Sequence, residues 1–121
     1  MTRILIADDH DVVRSGVRAI LEGHEGWEVV GEARDGKEAI DRALATRPDV
    51  VVLDYALPLV NGVEATRQIR QAPDAPVVIL LSTYDEDEFD RSGCGAAAYV
   101  SKASFSPDRL QEAWSAAASA H

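Results

Sequence analysis

Six polar residues stand directly after short apolar runs in this 121-residue sequence. Asp8 and Asp9 follow Ile4-Leu5-Ile6-Ala7, and Asp54 follows Val50-Val51-Val52-Leu53. Ser82 follows Val77-Val78-Ile79-Leu80-Leu81, and Ser101-Lys102 follow Ala97-Ala98-Tyr99-Val100. Taken singly, each has an ordinary role: an acid pair caps a helix, Asp54 sits in a turn before Pro58, Ser82 caps, and Lys102 is solvated. If the runs are strands of one sheet, however, all six meet at a single edge. Converging carboxylates repel, and each resists ionising without a counter-charge. A hard divalent cation relieves that repulsion, and an oxygen-only donor set suits Mg²⁺, which also takes phosphate oxygens.

The elements needed to bring these groups together can be read from the intervening text. The fifth apolar run is Glu28-Val29-Val30-Gly31; the other four are almost continuously apolar, as in strands of a parallel sheet buried on both faces. Between the runs lie helical patterns. Val13, Val17, Ile20 and Leu21 make one face, which Gly23 can end. Asp35 with Glu38 caps a helix carrying Ala39, Ile40, Ala43 and Leu44, which Pro48 stops. Asn61 with Glu64 repeats the device ahead of Val63, Thr66 and Ile69. Ser106-Pro107 starts a last helix with Leu110, Ala113, Trp114 and Ala117. Five β-α pairs with short connections mean a doubly wound parallel sheet, whose ligands bind outside the carboxyl ends of its strands.

The segment Asp85 to Gly95 is the weakest helical pattern. Its acids Asp85 to Glu88 suit a helix start and Phe89 can anchor it. Gly93 and Gly95 each cost about 1 kcal/mol against Ala in a helix, so at most about two turns are expected, followed by an irregular link.

Composition narrows the function. Apolar residues make up 46% and charged residues 27%, which favours one folded domain over residues 1–121. The net charge of −9 argues against direct nucleic-acid or anionic-membrane binding, which needs clustered Lys and Arg. The single cysteine, Cys94, leaves no intramolecular disulfide and no Cys-based zinc site. No stretch approaches the roughly 20 apolar residues that span a bilayer, and the start lacks a signal-peptide pattern. A cytoplasmic protein is expected.

The ordered segments Ile4-Leu5-Ile6-Ala7-Asp8-Asp9-His10, Asp35-Gly36-Lys37-Glu38-Ala39, Pro48 through Asp54, Leu57-Pro58, Asn61-Gly62, Glu64 and Ala98-Tyr99-Val100-Ser101-Lys102 resemble the CheY-like receiver domain of bacterial two-component response regulators. The first part is most similar to receivers of LuxR-type helix-turn-helix regulators, and the last part to a shorter variant found in some stand-alone receivers. The resemblance implies the strand order 2-1-3-4-5. It implies that Asp54 is the phospho-acceptor, receiving its phosphoryl group from a sensor histidine kinase or phosphotransfer protein. It further implies a Mg²⁺ ion on Asp8, Asp9, Asp54 and the Ala56 backbone carbonyl, Ser82 and Lys102 on the phosphoryl oxygens, and Tyr99 as the aromatic switch. A monomer or weak dimer is expected.

The partner is expected to dock near Val12, Val13 and Gly16 of the first helix, helped by Ser104 and Phe105. The interval from Ser82 to Lys102 is 20 positions, shorter than in family members with long carboxyl-terminal effector domains. The deficit falls in Asp85 to Gly95, so output through a rigid fourth-helix face is expected to be impaired or rebuilt. These residues are expected to hold no effector domain, so the chain reads either as a single-domain regulator acting by protein contact or as the receiver of a longer factor. Turnover of external substrates is not expected: aspartyl-nucleophile phosphatases of the haloacid-dehalogenase type place a second acid two residues after the first, and here that residue is Ala56. A non-phosphorylated pseudo-receiver is disfavoured because every site position holds a competent residue. A flavodoxin-like cofactor binder lacks its phosphate loop, for Asp8-Asp9-His10-Asp11 repels phosphate.

Overall fold

Neighbouring residues of each central strand belong to two different cores. In the computed structural model, which describes residues 2–82, 96–102 and 105–119, Ile4, Ile6, Val50, Val52, Ile79 and Leu81 pack with Val17, Leu21, Leu110 and Ala113. Leu5, Ala7, Val51, Leu53, Val78 and Leu80 pack on the opposite face with Ala39, Ala43, Ala65 and Ile69. Side chains alternate faces along a strand, so two covered faces require an unbroken apolar run.

The strands are β1 (Thr2–Ala7), β2 (Trp27–Ala33), β3 (Val50–Asp54), β4 (Val77–Ser82) and β5 (Ala98–Ser101), all parallel, in the order β2-β1-β3-β4-β5. The chain winds one way from β1 to β2 and the other way from β3 onward. The crevice between β1 and β3 is therefore the switch point. Helices α1 (Asp11–Glu22) and α4 (Pro107–Ser119) cover one face, and α2 (Gly36–Thr46) and α3 (Gly62–Arg70) the other. No helix among the described residues is long and apolar enough to cross a membrane.

The caps form as expected. Asp35 accepts from the Glu38 N–H at 2.7 Å, Asn61 from the Glu64 N–H at 2.9 Å, and the Ser106 hydroxyl from the Arg109 N–H at 3.1 Å. Both helix stops also fall where expected, and one side chain departs from its pattern. α2 stops through Arg47 in the left-handed conformation (φ 47°), one residue before Pro48. Gly23 ends α1 with an ordinary right-handed φ of −74°. Leu44 is 57% exposed, because Ala39 and Ala43, with Ile40 beside them, face the sheet and Leu44 falls one position round the helix from Ala43. The expected short helix between Asp85 and Gly95 lies outside the described residues.

Candidate functional site

Asp8 directly follows β1 and Asp54 ends β3, and the two are only 2% and 4% exposed. Asp8 leaves β1 with its N–H donating to the Ala33 carbonyl at 3.0 Å. Its Oδ1 accepts the His10 N–H at 2.9 Å, which turns the chain sharply into α1. Asp54, the last residue of β3, accepts the Ala56 N–H on Oδ1 at 3.2 Å. Ser82 and Ser101 close β4 and β5 opposite each other, both buried. Lys102 follows, and its Nζ lies 2.9 Å from Asp8 Oδ2 and 3.3 Å from Asp54 Oδ2.

Backbone hydrogen bonds also hold the loop after Asp54. The Tyr55 N–H donates to Leu81 O at 2.7 Å, and the Gly62 N–H to Tyr55 O at 2.9 Å. Two glycines permit this close approach. A Cβ on Gly62 would stand 2.5 Å from the Asp54 carbonyl oxygen, and one on Gly36 would stand 1.7 Å from that of Val60.

Charge at the site is unbalanced. Burial, reinforced by the Asp8 charge, raises the Asp54 pKa above the ordinary carboxylate value; Lys102 and the Ala56 N–H oppose this and lose. Burial disfavours the Lys102 ammonium, but the carboxylates of Asp8 and Asp54 more than reverse it and hold its pKa above the usual lysine value. Asp8 Oδ2 is buried, and the Lys102 ammonium 2.9 Å away is its counter-charge. Asp8, Asp9, His10 and Asp54 each offer a ligand atom, all within 4.8 Å of one another. Three carboxylates at one edge, two of them buried, fit a hard divalent cation, whose ligands lie about 2.0–2.6 Å from the metal.

The family model of the response regulator receiver domain matches residues 4–115. The chain belongs to this family. Response regulator GacA of Pseudomonas viridiflava is 41% identical over 105 residues, covering 84% of this chain and 49% of that protein. The receiver thus spans about half the length of the curated relatives it matches. A LuxR-family two-component response regulator from Aurantimonas superposes with TM-score 0.86 at 38% identity, covering 100% of this chain and 88% of that one. The receiver domain of sensor histidine kinase PA1611 from Pseudomonas aeruginosa PAO1 superposes with TM-score 0.79 at 29% identity, covering 93% of each chain.

The receiver brings Asp8, Asp9, Asp54 and Lys102 together at one sheet edge, as the strand-end argument required. Ser82 ends the neighbouring strand β4. Ala56 is exposed, and its N–H donates to Asp54 Oδ1. Tyr99 is half-buried on β5 against the core shared by α2 and α3. The docking residues divide: Val12 is 86% exposed and Gly16 is open, while Val13 and Phe105 pack partly against the core and Ser104 lies outside the described residues. Two residues escaped the sequence reading. His10 has its Nδ1 3.2 Å from Asp8 Oδ1 and 3.1 Å from Asp9 Oδ1. Arg14 is buried on the apolar side of α1. His10 was signalled by its place directly after the acid pair. Arg14 carried no such mark, because α1 already had an apolar face without it.

Proposed function

We propose that this receiver is a phosphorylation-dependent switch in which Asp54 accepts a phosphoryl group. The supporting observation is a buried carboxylate at the end of the central strand with an ammonium 3.3 Å away and two further acids beside it. One Asp54 carboxylate oxygen forms the new bond to phosphorus as the bond to the donor breaks. The electron pair of that bond leaves with the donor, a phosphohistidine imidazole of a sensor kinase or phosphotransfer protein. Lys102 pairs with the incoming negative oxygens, and the Ser82 hydroxyl, fixed at the end of β4, hydrogen-bonds one of them. Mg²⁺ held by Asp8, Asp9, Asp54 and the Ala56 carbonyl would neutralise phosphoryl charge when bound. The PA1611 receiver, of the same fold, has a magnesium ion coordinated in its active-site cleft.

The added group brings up to roughly two negative charges. Ser82 is drawn toward it, Tyr99 follows inward, and the population of two surface states shifts. Turnover of an external substrate is no part of this reading. The relatives' regulatory output belongs to a longer protein, to which this acidic domain contributes the switch and no direct nucleic-acid contact. A cytoplasmic location agrees with kinase-borne phosphoryl transfer. Intact-protein mass spectrometry after acetyl phosphate and Mg²⁺ should show one added phosphoryl mass, absent in Asp54→Asn. Equal labelling of that variant would overturn the assignment.

A further inference from the structure

We propose that Arg14 is a positioning residue that holds the acid loop in its cation-binding shape, an inference that rests on the phosphoswitch reading. Arg14 is 7% exposed, and its three guanidinium nitrogens take three different partners. Nη1 donates to the Asp8 carbonyl at 2.7 Å, Nε donates to Glu32 Oε1 at 2.9 Å on β2, and Nη2 donates to Asp11 on the first turn of α1. Arg18, one turn further on, donates to the other oxygen of Glu32 and fixes that carboxylate in turn.

Packing does not require this arginine. Val17 and Leu21 already seat α1 on the sheet, and an apolar side chain of similar volume would be easier to bury than a guanidinium. What only arginine supplies is a rigid planar fork whose donors reach separate acceptors at once. Clamping the Asp8 carbonyl fixes the peptide plane between Asp8 and Asp9. That plane sets the direction in which the Asp9 side chain leaves the backbone. It also sets the turn that lets the His10 N–H reach Asp8 Oδ1. The acid loop carries mutually repelling charges and would otherwise relax apart. Arg14 opposes this twice, by a charge-assisted hydrogen bond on the loop and by a positive charge beneath it.

The test compares Arg14→Met and Arg14→Lys with the parent by amide hydrogen exchange and by Mg²⁺ titration followed by NMR. In Arg14→Met the His10 amide should exchange faster, while core amides such as Val52 hold their protection. Mg²⁺ affinity should fall about 10- to 100-fold, the usual range for losing a group that orients a metal ligand. Arg14→Lys should recover only part of both, since one ammonium replaces a three-way fork. If Arg14→Met does not fold, Arg14→Lys and Glu32→Gln decide, each with a smaller loss in the same direction. Unchanged His10 exchange and unchanged Mg²⁺ affinity in a folded variant would overturn the proposal. A parent that binds no Mg²⁺ and takes no phosphoryl group would overturn the switch reading, and His10 exchange would still decide the role of Arg14.

Discussion

The ammonium of Lys102 is held most closely by Asp8, at 2.9 Å from Oδ2, although the chemistry assigned to it concerns Asp54, at 3.3 Å. In this state Lys102 is the counter-charge of two buried acids. A phosphoryl group on Asp54 would offer it a stronger partner, and a cation near Asp8 would release it.

Lys102→Met should therefore act on stability as well as on phosphorylation. Without metal it leaves Asp8 and Asp54 facing each other uncompensated, a loss of roughly 3 kcal/mol. Saturating Mg²⁺ should restore part of that, and Mg²⁺ should bind the variant more tightly than the parent because its competitor is gone. Urea unfolding with and without Mg²⁺ measures both. A variant as stable as the parent in metal-free buffer would show that Lys102 is not the counter-charge.

Asp54→Asn should stabilise the metal-free protein at neutral pH. Asp54 has its pKa raised in the folded chain, by burial first and by Asp8 second. The folded state therefore holds this proton more tightly than the unfolded state, whose carboxyl titrates near about 3.9. The stability contributed by Asp54 is fully present below that pH and is lost as pH rises through the higher folded value. Asparagine removes the penalty, so the variant should exceed the parent in urea midpoint at pH 7, with the gain shrinking toward pH 3. A parent more stable than the variant at pH 7 would mean that Lys102 outweighs burial and Asp8 together.

Three glycines should separate cleanly under substitution by alanine. Gly36→Ala and Gly62→Ala force a Cβ onto the Val60 and Asp54 carbonyl oxygens, at 1.7 and 2.5 Å. Each should cost on the order of 3 kcal/mol or more, and Gly62→Ala should also slow uptake from acetyl phosphate by displacing Asp54. Gly16 lies in a helix with nothing within 4 Å of its would-be Cβ. Gly16→Ala should therefore stabilise by about 1 kcal/mol. Thermal melts of the three variants would settle this, and a stable Gly36→Ala would show that α2 can retreat from the loop.

The strand ends were legible because two buried faces leave a run of apolar residues that can stop only where the sheet stops. Asp8, Asp54, Ser82 and Lys102 stand at those stops. Caps were legible because Asp35 and Asn61 each bind an N–H three residues on, which is a local event. What sequence could not show depends on contacts made across the fold. Arg14 binds Glu32, which lies 18 positions away, and only the pairing of β1 with β2 brings them together. Leu44 continued an apolar pattern, yet the small residues Ala39 and Ala43 let α2 sit close enough to the sheet to leave it outside. The need for Gly36 arises from a loop more than 20 positions downstream, and its backbone φ gives no hint of it.

The docking surface yields the last prediction. Val12 is 86% exposed on the first turn of α1, immediately after the acid loop, while Val13 beside it packs against the core. Gly16 lies one turn further along the same exposed strip, so a partner helix can approach α1 closely above the site. Under the proposed phosphoswitch, an apolar anchor placed this way is a natural contact for the protein that donates the phosphoryl group. Val12→Glu should leave phosphorylation by acetyl phosphate unchanged, because the Val12 side chain points to solvent. It should slow transfer from a phosphorylated histidine kinase about tenfold, the effect of losing somewhat more than 1 kcal/mol at an interface centre. Val13→Ala should instead lower thermal stability and leave the ratio of the two rates alone. If Val12→Glu slowed both donors equally, the residue would be acting on the acid loop rather than on a partner. If it slowed neither, the kinase would dock elsewhere.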